Sequence, residues 1–164
     1  MPSADTFSIK PINAFVRKYA GEIVVDPFAR NSEFATHSND LNPGTKATHH
    51  MLATDFLKQL ADEGLKADTV LLDPPYSPRQ ISECYKALGL TVSMKDTQSS
   101  FYSEIRALIR PLCKRGTFVL SFGWNSTGMG HGFDMREIRL VAHGGAHNDT
   151  ICIAEECLFE EHAA

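Results

Sequence analysis

One short stretch of this chain combines residue types whose order suggests chemistry: Asp73-Pro74-Pro75-Tyr76, directly after the apolar run Val70-Leu71-Leu72. A proline restricts the residue before it to extended backbone, fixes its own φ and has no N–H to donate. The tetrapeptide is therefore a stiff arm that presents acceptors, namely the Asp73 carboxylate and the carbonyls of Asp73 and Pro74, with the flat ring of Tyr76 beside them. Two acceptors next to a ring suit a planar amine: they take its two hydrogens while its π-face stacks on the ring. Pulling on both hydrogens localises the nitrogen lone pair, which can then attack an electrophilic methyl group. If the amine belongs to a nucleobase, the base must leave the duplex or already be unpaired. The alternative is a plain type I or II turn stiffened by prolines. Such a turn has no use for a strand-end acid and an aromatic together.

The elements that must position this arm alternate in type. The segment 11–21 reads as a short helix, opened by Pro11 and closed by Gly21, and 22–27 as a strand. Residues 35–40 and 46–52 are weaker strand candidates. A helix is expected over 54–64, with Thr54 as its cap and Gly64 as its stop. A strand at 67–73 follows, then helices over 77–89 and 99–116; the second carries Phe101, Ile105, Leu108 and Leu112 on one face. The apolar run 116–123 is a strand, and 136–143 and 149–156 form a hairpin turned by His143-Gly-Gly-Ala-His-Asn-Asp149. Strands alternating with helices predict an α/β fold with a mostly parallel sheet covered on both faces and an antiparallel C-terminal hairpin. Ligands of such sheets bind at the carboxyl ends of the strands, where Asp26, Asp73 and residues 122–125 fall.

Bulk properties agree with one globular domain over 1–164. The chain has 164 residues, 43% apolar and 22% charged, with no stretch long enough to span a bilayer. The start lacks a secretory pattern, and the four cysteines show no Cys-x-x-Cys spacing. They read as reduced, mostly buried thiols of a cytoplasmic protein. The histidines have no partners at metal-ligand spacing, so no metal is expected. A net charge of −4 requires any nucleic-acid contact to use a local basic patch.

A strand followed by Asp-Pro-Pro-Tyr resembles the signature of amino-methyltransferases, which carry Asp/Asn/Ser-Pro-Pro-aromatic after their fourth strand and methylate exocyclic amines with S-adenosylmethionine. The segments FSIKPINAFV, VVDPFAR, SNDLNP and ATDFL, in that order, resemble cofactor motifs of the DNA adenine-methyltransferase family. This resemblance implies a Rossmann-like methyltransferase fold and methyl transfer to adenine N6 in DNA. It implies that Thr6, Phe7, Ile9, Lys10 and Pro11 line the methionine end of the cofactor, and that Asp26, Pro27 and Phe28 follow the first strand beside it. Asp40 would bind the ribose hydroxyls, Asp55 the adenine amino group, and Phe56 would lie along that ring. Asp73 and Pro74 would hold the target amine, on an arm stiffened by Pro75, over Tyr76. Taken singly, Asp40 also reads as an Asx turn and Asp55 as an acid in a first helical turn. An RNA amine (adenine N6 or guanine N2) and a non-catalytic binding module are the alternatives.

The sequence departs from that family in one place. Family members follow Asp-Pro-Phe with a glycine-rich turn and a helix, whereas this chain has Arg30, Asn31, Ser32 and Glu33. The stretch from Asp26 to Asp40 is too short for a helix and a strand. The helix should be a turn or absent, with Asn31 a candidate for left-handed backbone. Arg30 could pair with a phosphate or the cofactor carboxylate, or be a surface arginine. Arg79 and Trp124 are further substrate candidates, in the spare segments 77–100 and 123–132; the glycines of the second suggest a mobile loop. No separate target-recognition region is left, so specificity should be low or come from a homodimer or partner subunit.

Overall fold

The computed structural model describes residues 6–75, 89, 99–145 and 148–159. Its strands are Val24–Asp26 (β1), His37–Ser38 (β2), Ala67–Leu72 (β3), Cys113–Gly123 (β4), Phe133–Val141 (β5) and Thr150–Cys157 (β6), and its helices are Lys10–Tyr19 (α1), Ala53–Asp62 (α2) and Ser99–Ile109 (α3). The six strands form one sheet in the order β2-β1-β3-β4-β6-β5. The first four strands pair in parallel; β6 is antiparallel to both β4 and β5.

Both faces of the central strands are buried, which explains their unbroken apolar runs. On one face, Ile12, Phe15 and Val16 of α1 pack on Val24, Leu71, Leu120 and Phe122. On the other, Phe56, Leu57 and Leu60 of α2 and Ile105 and Ile109 of α3 pack on Val25, Val70 and Val119. Each such large side chain contributes about 1.5–3 kcal/mol by burial. These contacts fix the strand ends from which the acids project.

Several details differ from the sequence expectations. The segment 46–52 makes no strand, only an isolated parallel bridge between Asn39 and His49. Its polar side chains compete with a ladder: Thr48 Oγ1 donates to the Ser38 carbonyl at 2.9 Å, and Ser38 Oγ accepts the Thr48 N–H at 3.0 Å. The strand before the Asp-Pro-Pro arm is therefore the third, not the fourth after which the resemblance puts that arm. Helix α2 starts at Ala53 with Leu52 as its N-cap and no side-chain cap, so Thr54 lies inside the helix rather than before it. Gly64, at φ 74°, does follow the helix end. Pro111 converts the end of the third helix to a 3-10 turn over Arg110–Leu112, and β4 begins at once. Between β1 and β2 there is no helix, as the short spacing predicts. The helix expected over 77–89 falls outside the described residues apart from Gly89.

The β5–β6 turn contains Gly144 and Gly145, both at positive φ. Asp149 Oδ1 accepts the His143 N–H at 3.0 Å. Cys113, Cys152 and Cys157 are free and buried, and burial pushes the thiols of Cys113 and Cys152 up to about 12. Among the described residues no helix is long and apolar enough to cross a membrane.

Candidate active site

The chain leaves β1 toward β2 on one side and β3 toward β4 on the other, so the sheet order reverses between β1 and β3. Open α/β sheets bind ligands in the crevice outside the carboxyl ends at that reversal. Asp26 ends β1, and the Asp73-Pro74-Pro75 arm leaves β3. The register makes them neighbours: Val25 pairs with Val70, placing Asp73 a short step past the level of Asp26. On the opposite side Asp26 pairs with Ser38, which places Asp40 just beyond the same edge.

Asp26 is wholly buried. Its Oδ1 accepts the Phe28 N–H at 2.9 Å. Its Oδ2 is sealed and has no hydrogen-bond partner among the described residues. Burial first, and then the negative fields of Asp73 and Asp40, push this carboxyl up to about 8. Asp26 is therefore largely a neutral acid at neutral pH.

The glycine-free turn after β1 closes by a device that the sequence did not disclose. Arg30, not Asn31, takes the left-handed backbone, at φ 50°. The Arg30 N–H donates to Asp40 Oδ2 at 3.2 Å, and the Ala29 N–H to the Asn39 carbonyl at 2.8 Å. Asn31 is used differently, its Oδ1 accepting the Lys46 N–H at 3.0 Å. Buried Asn39 fastens the turn to the segment before α2: its Nδ2 donates to the carbonyls of Pro27 at 3.2 Å and Met51 at 3.0 Å, and its Oδ1 accepts the Met51 N–H at 3.1 Å. An Asn at a strand end has too many ordinary uses to reveal this role from sequence.

Asp40 forms an Asx turn, accepting the Asn42 N–H at 2.8 Å on Oδ1, and still has acceptor capacity. Asp55 is exposed in the first turn of α2. Phe56, expected along a cofactor ring, is wholly buried in the core, and its ring meets His49 at 5.1 Å. Thr6 and Phe7 form a 3-10 turn ahead of α1. Phe7 is buried edge-on to Phe34 and Phe122, and its carbonyl accepts Asn13 Nδ2 at 3.0 Å. Ile9 is half-buried, and Lys10 and Pro11 are exposed at the start of α1. Pro27 and Phe28 form the turn after β1.

Asp73 is half-buried. The arm is held by a residue that the sequence reading missed: Tyr102 of α3 donates its hydroxyl hydrogen to the Pro75 carbonyl at 2.6 Å. No local signal marks Tyr102, because its partner is far away in sequence. Tyr76 and Arg79 lie outside the described residues. Trp124, just past β4, is 46% exposed. The glycine-rich segment 123–132, expected to be a mobile loop, is tied to the sheet and to Arg110 at Met129 and His131. Buried Glu155 accepts the Met129 N–H at 2.8 and 3.0 Å, and Arg110 donates to the carbonyls of Met129 at 2.6 Å and His131 at 2.9 Å. Among the described residues no three His, Cys, Asp or Glu side chains group as metal ligands.

Solved structures share this architecture. A protein from Escherichia coli assigned as a methyltransferase, yhhF, superposes with a TM-score of 0.58 at 10% identity, over 97% of this chain and 89% of its own. A protein from Haemophilus influenzae assigned as a methylase, HI0767, gives 0.55 at 12% identity, over 97% and 92%. SMU.776, assigned as a methyltransferase and solved with S-adenosylhomocysteine, gives 0.63 at 13% identity, over 94% of this chain and 50% of its own; this chain thus spans half its length. No family model matches the chain, and no curated protein does. At these identities the likeness is one of fold: a Rossmann-like α/β sheet, mostly parallel, with an antiparallel C-terminal pair.

Proposed function

We propose that this protein transfers a methyl group from S-adenosylmethionine to the exocyclic N6 amine of adenine in DNA. The observation that carries the reading is the Asp73-Pro74-Pro75 arm at the end of a buried strand, at the sheet's reversal, braced by Tyr102. The protein solved with S-adenosylhomocysteine supports the choice of cofactor.

The crevice fits that cofactor chemically. Asp40 has acceptors to spare for ribose hydroxyls, the turn at Arg30 folds tightly without glycine, and Asp26 holds a buried oxygen with no partner among the described residues. Asp40 would hold the ribose, exposed Asp55 the adenine amino group, and the 6–11 segment the methionine end. When bound, S-adenosylmethionine supplies an electrophilic methyl group. The chain's own contribution is to hold the amine. The Asp73 carboxylate and the Pro74 carbonyl accept its two hydrogens, and Tyr76, next in sequence, is the platform for the base. This draws the lone pair out of ring conjugation and aims it. The methylated nitrogen sheds its extra proton to water, so no dedicated base is required. Exposed Arg30 and Trp124 are the proposed contacts to the nucleic acid.

The test is transfer of tritiated methyl groups to matched DNA and RNA pools, followed by digestion to nucleosides. Label in N6-methyldeoxyadenosine is expected. Label confined to RNA would move the substrate to an RNA amine, and cofactor binding without transfer to either pool would favour a non-catalytic module.

A further inference from the structure

Asp26 poses a problem that the amine-holding arm does not solve. A buried carboxyl ordinarily finds donors for both oxygens or a cation beside it. Here one oxygen takes the Phe28 N–H and the other has no partner among the described residues. The groups acting on it are two more acids, Asp73 past β3 and Asp40 past β2. Among the described residues, the charged or titratable groups on the adjoining segments include Arg30 in the turn after β1 and His49 and His50 on the segment bridged to Asn39. His49 packs on Phe56, and His50 Nδ1 lies 3.1 Å from the Asp40 carbonyl. Three carboxyl groups thus end three adjacent strands at one crevice.

Such a place gains from a ligand group that brings positive charge. A sulfonium supplies charge alone; an ammonium supplies charge together with N–H donors for the partly buried carboxylates of Asp73 and Asp40. We propose that an ammonium group entering the β1–β3 crevice displaces the proton of Asp26, so that ligand binding releases one proton to solvent. The proton leaves the Asp26 carboxyl for the buffer, and the ammonium charge then balances the carboxylate left behind. Direct contact with the sealed oxygen is not required. Burial is the main reason Asp26 is neutral, with the repulsion of Asp73 and Asp40 added to it; a positive charge beside those two acids cancels their repulsion, and its own attraction for a buried carboxylate works against the cost of burial. The inference rests on the methyltransferase reading above, in which the crevice takes a nucleoside with a methionine end.

The experiment is calorimetric titration of the full chain with S-adenosylhomocysteine near pH 7, in two buffers of different protonation enthalpy. Release of close to one proton is expected. Affinity should rise about tenfold per pH unit below the Asp26 transition and level off above it. Two controls locate the effect. 5′-Methylthioadenosine, which has the nucleoside and thioether but no ammonium, should release none, and Asp26→Asn should abolish both release and slope. Binding of S-adenosylhomocysteine without proton release overturns the inference alone, as does equal release with 5′-methylthioadenosine or by Asp26→Asn. Failure of both nucleosides to bind overturns the methyltransferase reading, and this inference with it. If Asp26→Asn does not fold, the wild-type proton count and pH slope decide.

Discussion

Asp26 and Asp73 are both acids at strand ends, and their surroundings give them different work. Asp73 is half-buried on a rigid arm, while Asp26 is sealed, with a raised pKa. The raised value carries a consequence for stability. Between the ordinary 3.8 and about 8, the folded protein holds a proton on Asp26 that the unfolded chain has lost. Stability must therefore fall as pH rises through that window and level off above it. Buried Glu155, also raised by burial, acts in the same direction above its ordinary value. Glu137 acts in the opposite sense: hydrogen bonds from Lys18 and Tyr19 hold it at about 2, so its contribution is lost as pH falls from 4.5 toward that value. Urea unfolding of the ligand-free protein from about pH 5 to pH 8 should show declining stability, with a shallower decline in Asp26→Asn. A profile that does not fall would contradict the assignment of Asp26 as a neutral buried acid. At this scale the sequence was legible where geometry is local, as in the buried strand that ends just before Asp73-Pro74-Pro75. It was silent where partners are remote, as with Tyr102 and Asn39.

Among the elements, the strands that position the site were readable because burial on both faces leaves an unbroken apolar run, as in Val70-Leu71-Leu72. The segment 46–52 was misread as a strand because its side chains take the hydrogen bonds a ladder would use. In the segment 123–132, whose glycines suggest a mobile loop, Gly128 serves a close approach. A Cβ on Gly128 would land on the Glu155 carboxylate. That carboxylate cannot withdraw without stranding the Met129 N–H. Gly128→Ala should therefore cost about 2–3 kcal/mol. Gly64→Ala, with open space around it and only its positive φ to lose, should cost about 1 kcal/mol. Denaturant melts of the two variants check this; a harmless Gly128→Ala would mean that the segment is not pinned.

For the whole molecule, one sheet and its order account for the site. The reversal between β1 and β3 brings together Asp26, Asp40 and Asp73 from distant parts of the chain. That convergence was legible only as a motif order, because strand order is set by packing of α1 against one face and of α2 and α3 against the other. The departure from the glycine-rich turn was legible, but not its solution at Arg30, since left-handed backbone at an arginine has no sequence signature. The claim on which the account turns is that the proline arm holds an amine for methyl transfer. It is tested most directly by the rate of tritiated methyl transfer to adenine-containing DNA by Asp73→Ala against the wild type, with S-adenosylmethionine affinity measured on both proteins. Transfer by the wild type, reduced to background in a folded variant that still binds cofactor, is the expected result. Undiminished transfer by Asp73→Ala would contradict it.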